Sequence, residues 1–246
     1  MASLSDLSLK NRVFMATYRY RTLDPVPFTR PEKPLHEARV ALVTTGGVHL
    51  PTQVPFDNSL KGGDATFREI PADVDLATLG IAHKSDAFDQ AGFHADRNLG
   101  FPLERLREMA ARGEIGSLNG RALSFMGSIT APGRLVKETA PAAASLLAAD
   151  GVDAAFLVPV CPMCHQTVGL IAGELERHGI ATTSVTMLKE ITEKVRTPRA
   201  LAVPYALGYP LGKPGDPALQ TRILRAAFAL LDAPGPPPVL VDFTGA

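Results

Sequence analysis

The two cysteines of this chain fall in one tetrapeptide, Cys161-Pro162-Met163-Cys164, directly after an apolar run and directly before a helical pattern. A thiol at the start of a helix meets free backbone N–H groups and the positive end of the helix dipole, and both favour thiolate over thiol. Cys161 is therefore read as a low-pKa nucleophile. Cys164, three residues on, can form a disulfide with it or resolve a mixed disulfide, as dithiol redox sites do. Three rival readings start from the same residues. Free cysteines are commonly buried and inert, so packing alone is one. The Cys161-x-x-Cys164-His165 string matches c-type haem attachment, which belongs to exported chains and not to a motif joined to a core strand. Zinc would need two more ligands, from His49, His83, His94 or His165, because there is no second cysteine pair. Thiol chemistry without metal or cofactor makes the fullest use of the pair.

Thr44-Thr45-Gly46-Gly47-Val48-His49 ends one apolar run as the cysteine turn ends another. If the two runs are neighbouring parallel strands, both turns line one pocket beyond the strands' carboxyl ends. Backbone N–H groups of Gly46 and Gly47 and the hydroxyls of Thr44 and Thr45 would then hold a carboxylate or oxyanion. Arg68 offers the fork geometry that suits a substrate carboxylate, although an edge strand with alternating charge explains its surroundings equally well. His165 or His49 is expected to donate a proton, and His83 to touch the substrate. Asp86 and Asp89 beside His83 fit either acid/base groups or a solvated loop. Ser124-Phe125-Met126-Gly127 reads as core followed by a turn.

The elements that must position these groups alternate between strand and helix. Arg39 to Thr45 reads as a buried first strand stopped by Gly46-Gly47, and Thr66 to Ile70 and Ala122 to Gly127 as shorter ones. Pro102 opens a helix over Leu103 to Arg112 that Gly113 closes. An alanine-rich helix, Arg134 to Ala149, accommodates Pro141. The clearest unit is strand Ala154 to Val160, the cysteine turn, helix Thr167 to His178 and strand Ala181 to Thr186, a right-handed βαβ unit. Ala200 to Pro204 and a helix over Pro217 to Leu231 follow, and Val239-Leu240-Val241 can add an edge strand. The alternation predicts an α/β fold with a mostly parallel sheet flanked by helices, doubly wound and Rossmann-like. Residues 1–38, punctuated by Pro25, Pro27, Pro31 and Pro34, read as an arm wrapped over a single catalytic domain at 39–233, with a Pro/Gly-rich tail at 234–246. The stretch from Pro51 to Gly100 is a long loop-rich insertion.

Composition narrows the function. The 246 residues carry 25 Lys and Arg against 25 Asp and Glu, which leaves no surplus field to hold a nucleic acid. No apolar run reaches the length of a signal core or a membrane span, and two cysteines make no disulfide scaffold. A soluble cytoplasmic enzyme acting on a small molecule is expected, with a thiol reductant as a possible partner, no membrane association, and assembly as a homo-oligomer.

Three strings carry a family resemblance: Ala41 to His49, Gly63-Asp64 to Pro71, and Leu157 to Gly169, which contains the cysteine turn and its following His165-Gln166. They resemble the selenoprotein B family of glycine/sarcosine/betaine and D-proline reductases, more closely its proline reductase branch, over about Arg30 to Leu231. In that family the position matching Cys161 is selenocysteine, which attacks the substrate α-carbon and is resolved by a thiol. Cys164 matches the partner thiol. The resemblance thus implies reductive cleavage of a small carboxylated amino acid or cyclic imino acid, with a pyruvoyl-bearing partner that activates the amine. Cysteine at 161 is a poorer nucleophile and leaving group than a selenolate. A redirected activity is therefore the alternative: a stand-alone desulfhydrase in which Cys161 attacks a thiocarbonyl carbon of a thiohydantoin-type heterocycle and sulfide departs. A non-catalytic binding subunit is the third class.

Overall fold

The structure is a computed structural model in which residues 2–245 are described. In chain order its elements are α1 (Leu9–Thr17), β1 (Arg39–Thr44), β2 (Val48–His49), β3 (Phe67–Pro71), β4 (Gly80–Ile81), α2 (Ala91–Ala95), α3 (Leu103–Ala111), β5 (Ser117–Leu118), β6 (Arg121–Phe125), α4 (Ala140–Ala149), β7 (Ala154–Val158), α5 (Pro162–Arg177), β8 (Ala181–Thr186), α6 (Lys189–Val195), β9 (Arg199–Ala202), α7 (Pro217–Ala229) and β10 (Val239–Asp242). Short 3-10 turns link several of them.

The apolar runs form one sheet of eight strands in the order β10-β9-β8-β7-β1-β6-β3, with β5 paired to the start of β1. All its pairings are parallel except that of β3 with β6. Strand alternation sends Val40, Leu42, Phe156 and Val158 into one core and Ala41, Val43, Ala155 and Leu157 into the other. Both faces are covered by helices, as an α/β fold with a mostly parallel sheet requires. Each large apolar side chain buried this way contributes about 1.5–3 kcal/mol. From β1 the chain moves to β6 on one side and later crosses to β7 on the other. The carboxyl ends of these three strands therefore bound a topological switch point, where loops diverge and open α/β sheets bind ligands.

Several elements differ from the sequence reading. The strand expected at Thr66 to Ile70 is β3, an antiparallel edge strand. Helix α5 starts at Pro162, earlier than expected, because Cys161 caps it with its own sulfur and proline at the first turn has no N–H to lose. A π turn over Leu135–Thr139 leads into α4, which leaves Pro141 in a first turn where a missing donor costs nothing. Helix α1 lies within the N-terminal segment, since its prolines begin only at Pro25 and Ser8 caps the Asn11 N–H at 3.3 Å. Helix α6 and the β2–β4 pair were not expected from the sequence. The tail does supply an edge strand, β10. Among the described residues no helix is long and apolar enough to cross a membrane.

Candidate active site

Three turns meet at the switch point. Cys161 leaves β7 and becomes the N-cap of α5, its Sγ accepting the Cys164 N–H at 3.2 Å. Cys164 sits one turn inside, 3.7 Å from the carbonyl oxygen of Thr45 at the end of β1. Gly127, just past β6, has φ +77°, and a Cβ there would lie 2.7 Å from Cys164 Sγ and 2.6 Å from Thr45 Cβ. Only glycine lets the three strand ends approach this closely. His83, from the loop-rich stretch and 81 residues from Cys164 in sequence, brings Nε2 to 3.4 Å from Cys164 Sγ. The ring nitrogen and the two sulfurs all lie within 4.8 Å of one another, and all three residues are buried.

The proton on His83 is fixed by its other nitrogen. Nδ1 accepts the Ser85 backbone N–H at 3.1 Å, so it carries a lone pair, and the neutral ring must bear its hydrogen on Nε2. His83 therefore points an N–H at the Cys164 sulfur. A metal-bound imidazole needs the reverse, a lone pair toward the ion and an acceptor behind the ring. The donor behind His83 suits a thiolate better than zinc.

Burial pushes the Cys161 thiol well above the usual thiol range, and the adjacent Cys164 sulfur, which takes its hydrogen bond, keeps the proton there; the Cys164 N–H and the Ser85 hydroxyl pull the other way. Burial also acts to raise Cys164, but the Cys161 S–H and the His83 ring outweigh it and hold Cys164 well below that range. Of the two thiols, Cys164 is the one held down and Cys161 the one that keeps its proton longer as pH rises. The low-pKa thiol expected at Cys161 from the helix terminus alone is corrected by this arrangement. One amide at the N-cap does not offset full burial beside a second sulfur that has an imidazole N–H of its own.

His165 is placed differently from the expected proton donor. Its Nδ1 lies 2.9 Å from the Cys161 carbonyl oxygen and 3.1 Å from that of Pro162, while Nε2 accepts the N–H groups of Met187 and Leu188 at 3.1 and 3.3 Å. Both nitrogens are spent on backbone, and burial lowers the pKa below the usual imidazole value. The ring ties the cysteine turn to the turn after β8 and has no nitrogen left for a sulfur. His49 bonds the Leu50 carbonyl at 2.9 Å and packs on Gly80 of β4, outside the sulfur cluster.

The Thr44 to Gly47 turn does lie against the cysteine turn, but as a carbonyl surface. Its donors are satisfied internally: Thr45 N–H and Oγ1 bond Val158 O at 3.0 and 2.9 Å, Gly47 N–H bonds Phe125 O at 2.9 Å, and Gly46 N–H bonds Thr44 Oγ1, which itself donates to Gly100 O. These bonds tie β1 to its neighbours β7 and β6 and leave no N–H wall for an anion. Arg68 is likewise committed, donating to Val54 O, Thr66 Oγ1 and Phe67 O with its guanidinium over the Phe56 ring at 4.3 Å. It anchors the preceding loop, a correction to its expected carboxylate role.

Both cysteines are completely buried. Residues 82–90 cover them, with Phe88 edge-on to the His83 ring at 4.9 Å, and residues 205–212 close alongside through Gly208 N–H to Val160 O at 3.0 Å and the Tyr209 hydroxyl to Asp89. In this arrangement neither sulfur is open to solvent. The sequence carried a signal for His83, a histidine in a long loop, but none for Ser85, whose backbone N–H orients His83 and whose hydroxyl acts on Cys161.

The family model for glycine/sarcosine/betaine reductase selenoprotein B matches residues 7–160, ending just before Cys161. The D-proline reductase subunit gamma of Acetoanaerobium sticklandii is 31% identical over 220 residues, 89% of this chain and 88% of the relative. The glycine reductase complex component B subunit gamma of Carboxydothermus hydrogenoformans is 29% identical over 88% of this chain but only 49% of its own length. The sarcosine reductase complex component B subunit beta of Peptoclostridium acidaminophilum is 27% identical, over 91% of this chain and 52% of its own. The chain therefore spans most of the first relative and about half the length of the other two. No solved structure matches.

Proposed function

The chain belongs to the glycine/sarcosine/betaine reductase selenoprotein B family, and we propose that it is the thiol-bearing component of a reductase, cleaving a C–N bond of a small carboxylated amino-acid derivative with Cys161 and Cys164. The observation that carries this reading is the pair of sulfurs within 4.8 Å of each other and of an imidazole N–H at the switch point. Two neighbouring sulfurs are what a two-electron reduction needs. Hydrolytic desulfurisation would use one and leave the other idle.

In the proposed reaction Cys164, charged and held by His83, takes the Cys161 proton as Cys161 Sγ attacks the carbon bearing the amine. An S–C bond forms, the C–N bond breaks, and its electron pair leaves with nitrogen, which receives the proton. Cys164, a thiolate again, then attacks Cys161 Sγ. An S–S bond forms, the S–C bond breaks, and its electron pair and one solvent proton end on carbon. The substrate gains two electrons and two protons, the dithiol becomes a disulfide, and an external dithiol reductant restores it.

The test is a single-turnover assay of the reduced protein with D-proline, glycine, sarcosine or betaine, alone and with a pyruvoyl-bearing companion subunit. Ring-opened or deaminated product should appear in step with a Cys161–Cys164 disulfide seen by peptide mass, and both should vanish in Cys161→Ser. Product formation that survives Cys161→Ala would leave only the binding-subunit reading.

A further inference from the structure

The segment that covers the cysteines is framed by an unusual surface. Among the described residues, five of the six exposed large apolar side chains, Leu9, Val13, Phe14, Val54 and Leu60, lie on α1 and the loop before β3. Val54 is 79% exposed and Leu9 67%. Hydrogen bonds join these pieces around the cover. Asn11 Nδ2 reaches Asp86 Oδ1 at 3.4 Å, Lys84 Nζ bonds the Leu60 carbonyl, and Tyr18 Oη donates to Thr130 O, which lies beside Gly62. Behind α1 the segment is tied to the catalytic helix, since Gln166 Nε2 donates to Tyr18 Oη at 3.0 Å and Gln166 Oε1 accepts the Arg21 N–H at 2.9 Å.

The charge of the segment that holds α1 has one sign. From Ser8 to Leu23 the sequence holds Lys10, Arg12, Arg19 and Arg21 and no Asp or Glu. All four are exposed, and neither they nor Lys61 takes part in an ion pair among the described residues. Of the acidic groups nearby, Asp24 pairs with Arg196, while Asp57 and Asp86 bond the neutral side chains of Ser59 and Asn11. A protein whose net charge is zero thus gathers unpaired cations on its α1 segment, beside exposed apolar groups and the segment that covers its buried site.

We infer that α1 and the 54–61 loop form the docking surface for a protein partner that presents acidic residues interleaved with apolar ones. Charge complementarity selects the acidic partner and steers it, while Val13, Phe14 and Leu60 supply the apolar contact that holds it. The apolar groups are spread over a nine-residue helix and a contoured loop, which fits a protein face better than the flat plane of a lipid surface. The inference rests on the reading of the chain as one component of a reductase assembly. A partner seated here bears directly on residues 84–86.

Zero-length carbodiimide cross-linking of the assembly purified from its own cells tests this. Lys10 or Lys61 should be joined to aspartate or glutamate side chains of one co-purifying subunit identified by mass, with a yield that falls as salt rises. The Val13→Glu/Phe14→Glu variant, and separately Lys10→Glu/Arg12→Glu, should lower that yield about tenfold, as loss of a central contact does, while iodoacetamide labelling of the cysteines is unchanged. Cross-links to a second copy of this chain, cross-links confined to other faces, full yield in both variants, or binding to phosphatidylglycerol vesicles with no protein cross-link would each overturn the inference. Loss of thiol chemistry with the cross-links intact would overturn the functional reading and leave this surface standing.

Discussion

At the C-terminal end of α5 the Glu176 carboxylate accepts the N–H and hydroxyl of Thr182, the N–H of Thr29 and the Arg199 guanidinium, which lies 3.6 Å above the Phe28 ring. Arg199 also donates to the Thr29 carbonyl at 2.6 Å, so the cluster clamps the N-terminal segment onto β8 and β9. At the N-terminal end of the same helix, Cys164 has a 3.4 Å contact to one imidazole nitrogen, a carbonyl oxygen at 3.7 Å, and the sulfur of Cys161. Both clusters are buried and both hold charge. The Glu176 carboxylate is saturated with short bonds from rigid partners, while the second cluster sets two soft atoms within 4.8 Å of each other beside an imidazole. Saturation makes a fastener, and an incompletely satisfied pair of nucleophiles makes a reactive centre.

That contrast is open to attack by mutation. Cys161→Ala should abolish single-turnover product by at least about a thousandfold, as loss of a nucleophile does, while urea denaturation shows little change. Arg199→Ala should do the opposite. It leaves the Glu176 carboxyl, which burial already pushes up, buried and without its cation, at about 3–5 kcal/mol of stability in a denaturant titration, while the labelling pattern of the cysteines persists in the folded fraction. If Arg199→Ala cost nothing, the two ends of α5 would not differ as described.

Gly127→Ala sits between the two classes. Its Cβ would meet Thr45 and the Cys164 sulfur inside contact distance at a positive φ, which predicts about 1–3 kcal/mol of destabilisation together with altered Cys164 labelling. A loss of stability without any change in labelling would separate the turn from the sulfur.

The smallest expected effect is one of pH. Cys164 lies below the ordinary thiol value and Cys161 above it, so the first thiolate to react with iodoacetamide as pH rises should be Cys164. His83→Ala should move that onset upward by removing the Nε2–H. The sign follows for stability too. The depressed Cys164 pKa stabilises the fold above the unfolded thiol value, a contribution lost as pH falls through the folded pKa. The raised Cys161 pKa contributes below the unfolded value and is lost as pH rises through the folded one. Peptide mass mapping of the labelled site against pH checks the assignment, and labelling of Cys161 first would reverse it.

Much of the frame was legible in the chain itself. Apolar runs of the right length, such as Ala154 to Val158, have no stable alternative to a central strand, and Gly46-Gly47 and Gly179 mark where such strands and helices end. The placement of Cys161 at a strand end followed from the same patterning. The duties of Arg68, His165 and the Thr44 to Gly47 turn were not legible. Their residue types suit an anion site or a proton donor, but partners outside their own segments, Val54 and Pro55 for Arg68, Met187 and Leu188 for His165, Phe125 and Val158 for the turn, consume the donors and acceptors.

Local sequence determined the sheet's alternation, the cap of α5 and the pairing of two thiols in one turn, because each depends on residues within a few positions of one another. Tertiary structure alone decided which thiol is pushed up and which is held down. That depends on His83, 81 residues from Cys164 and oriented by the Ser85 N–H, and on burial of both sulfurs beneath two covering segments. The physical reason is that desolvation and a directed N–H act over a few ångströms in space, whatever the distance along the chain, and at full burial they outweigh the helix terminus that sequence makes visible.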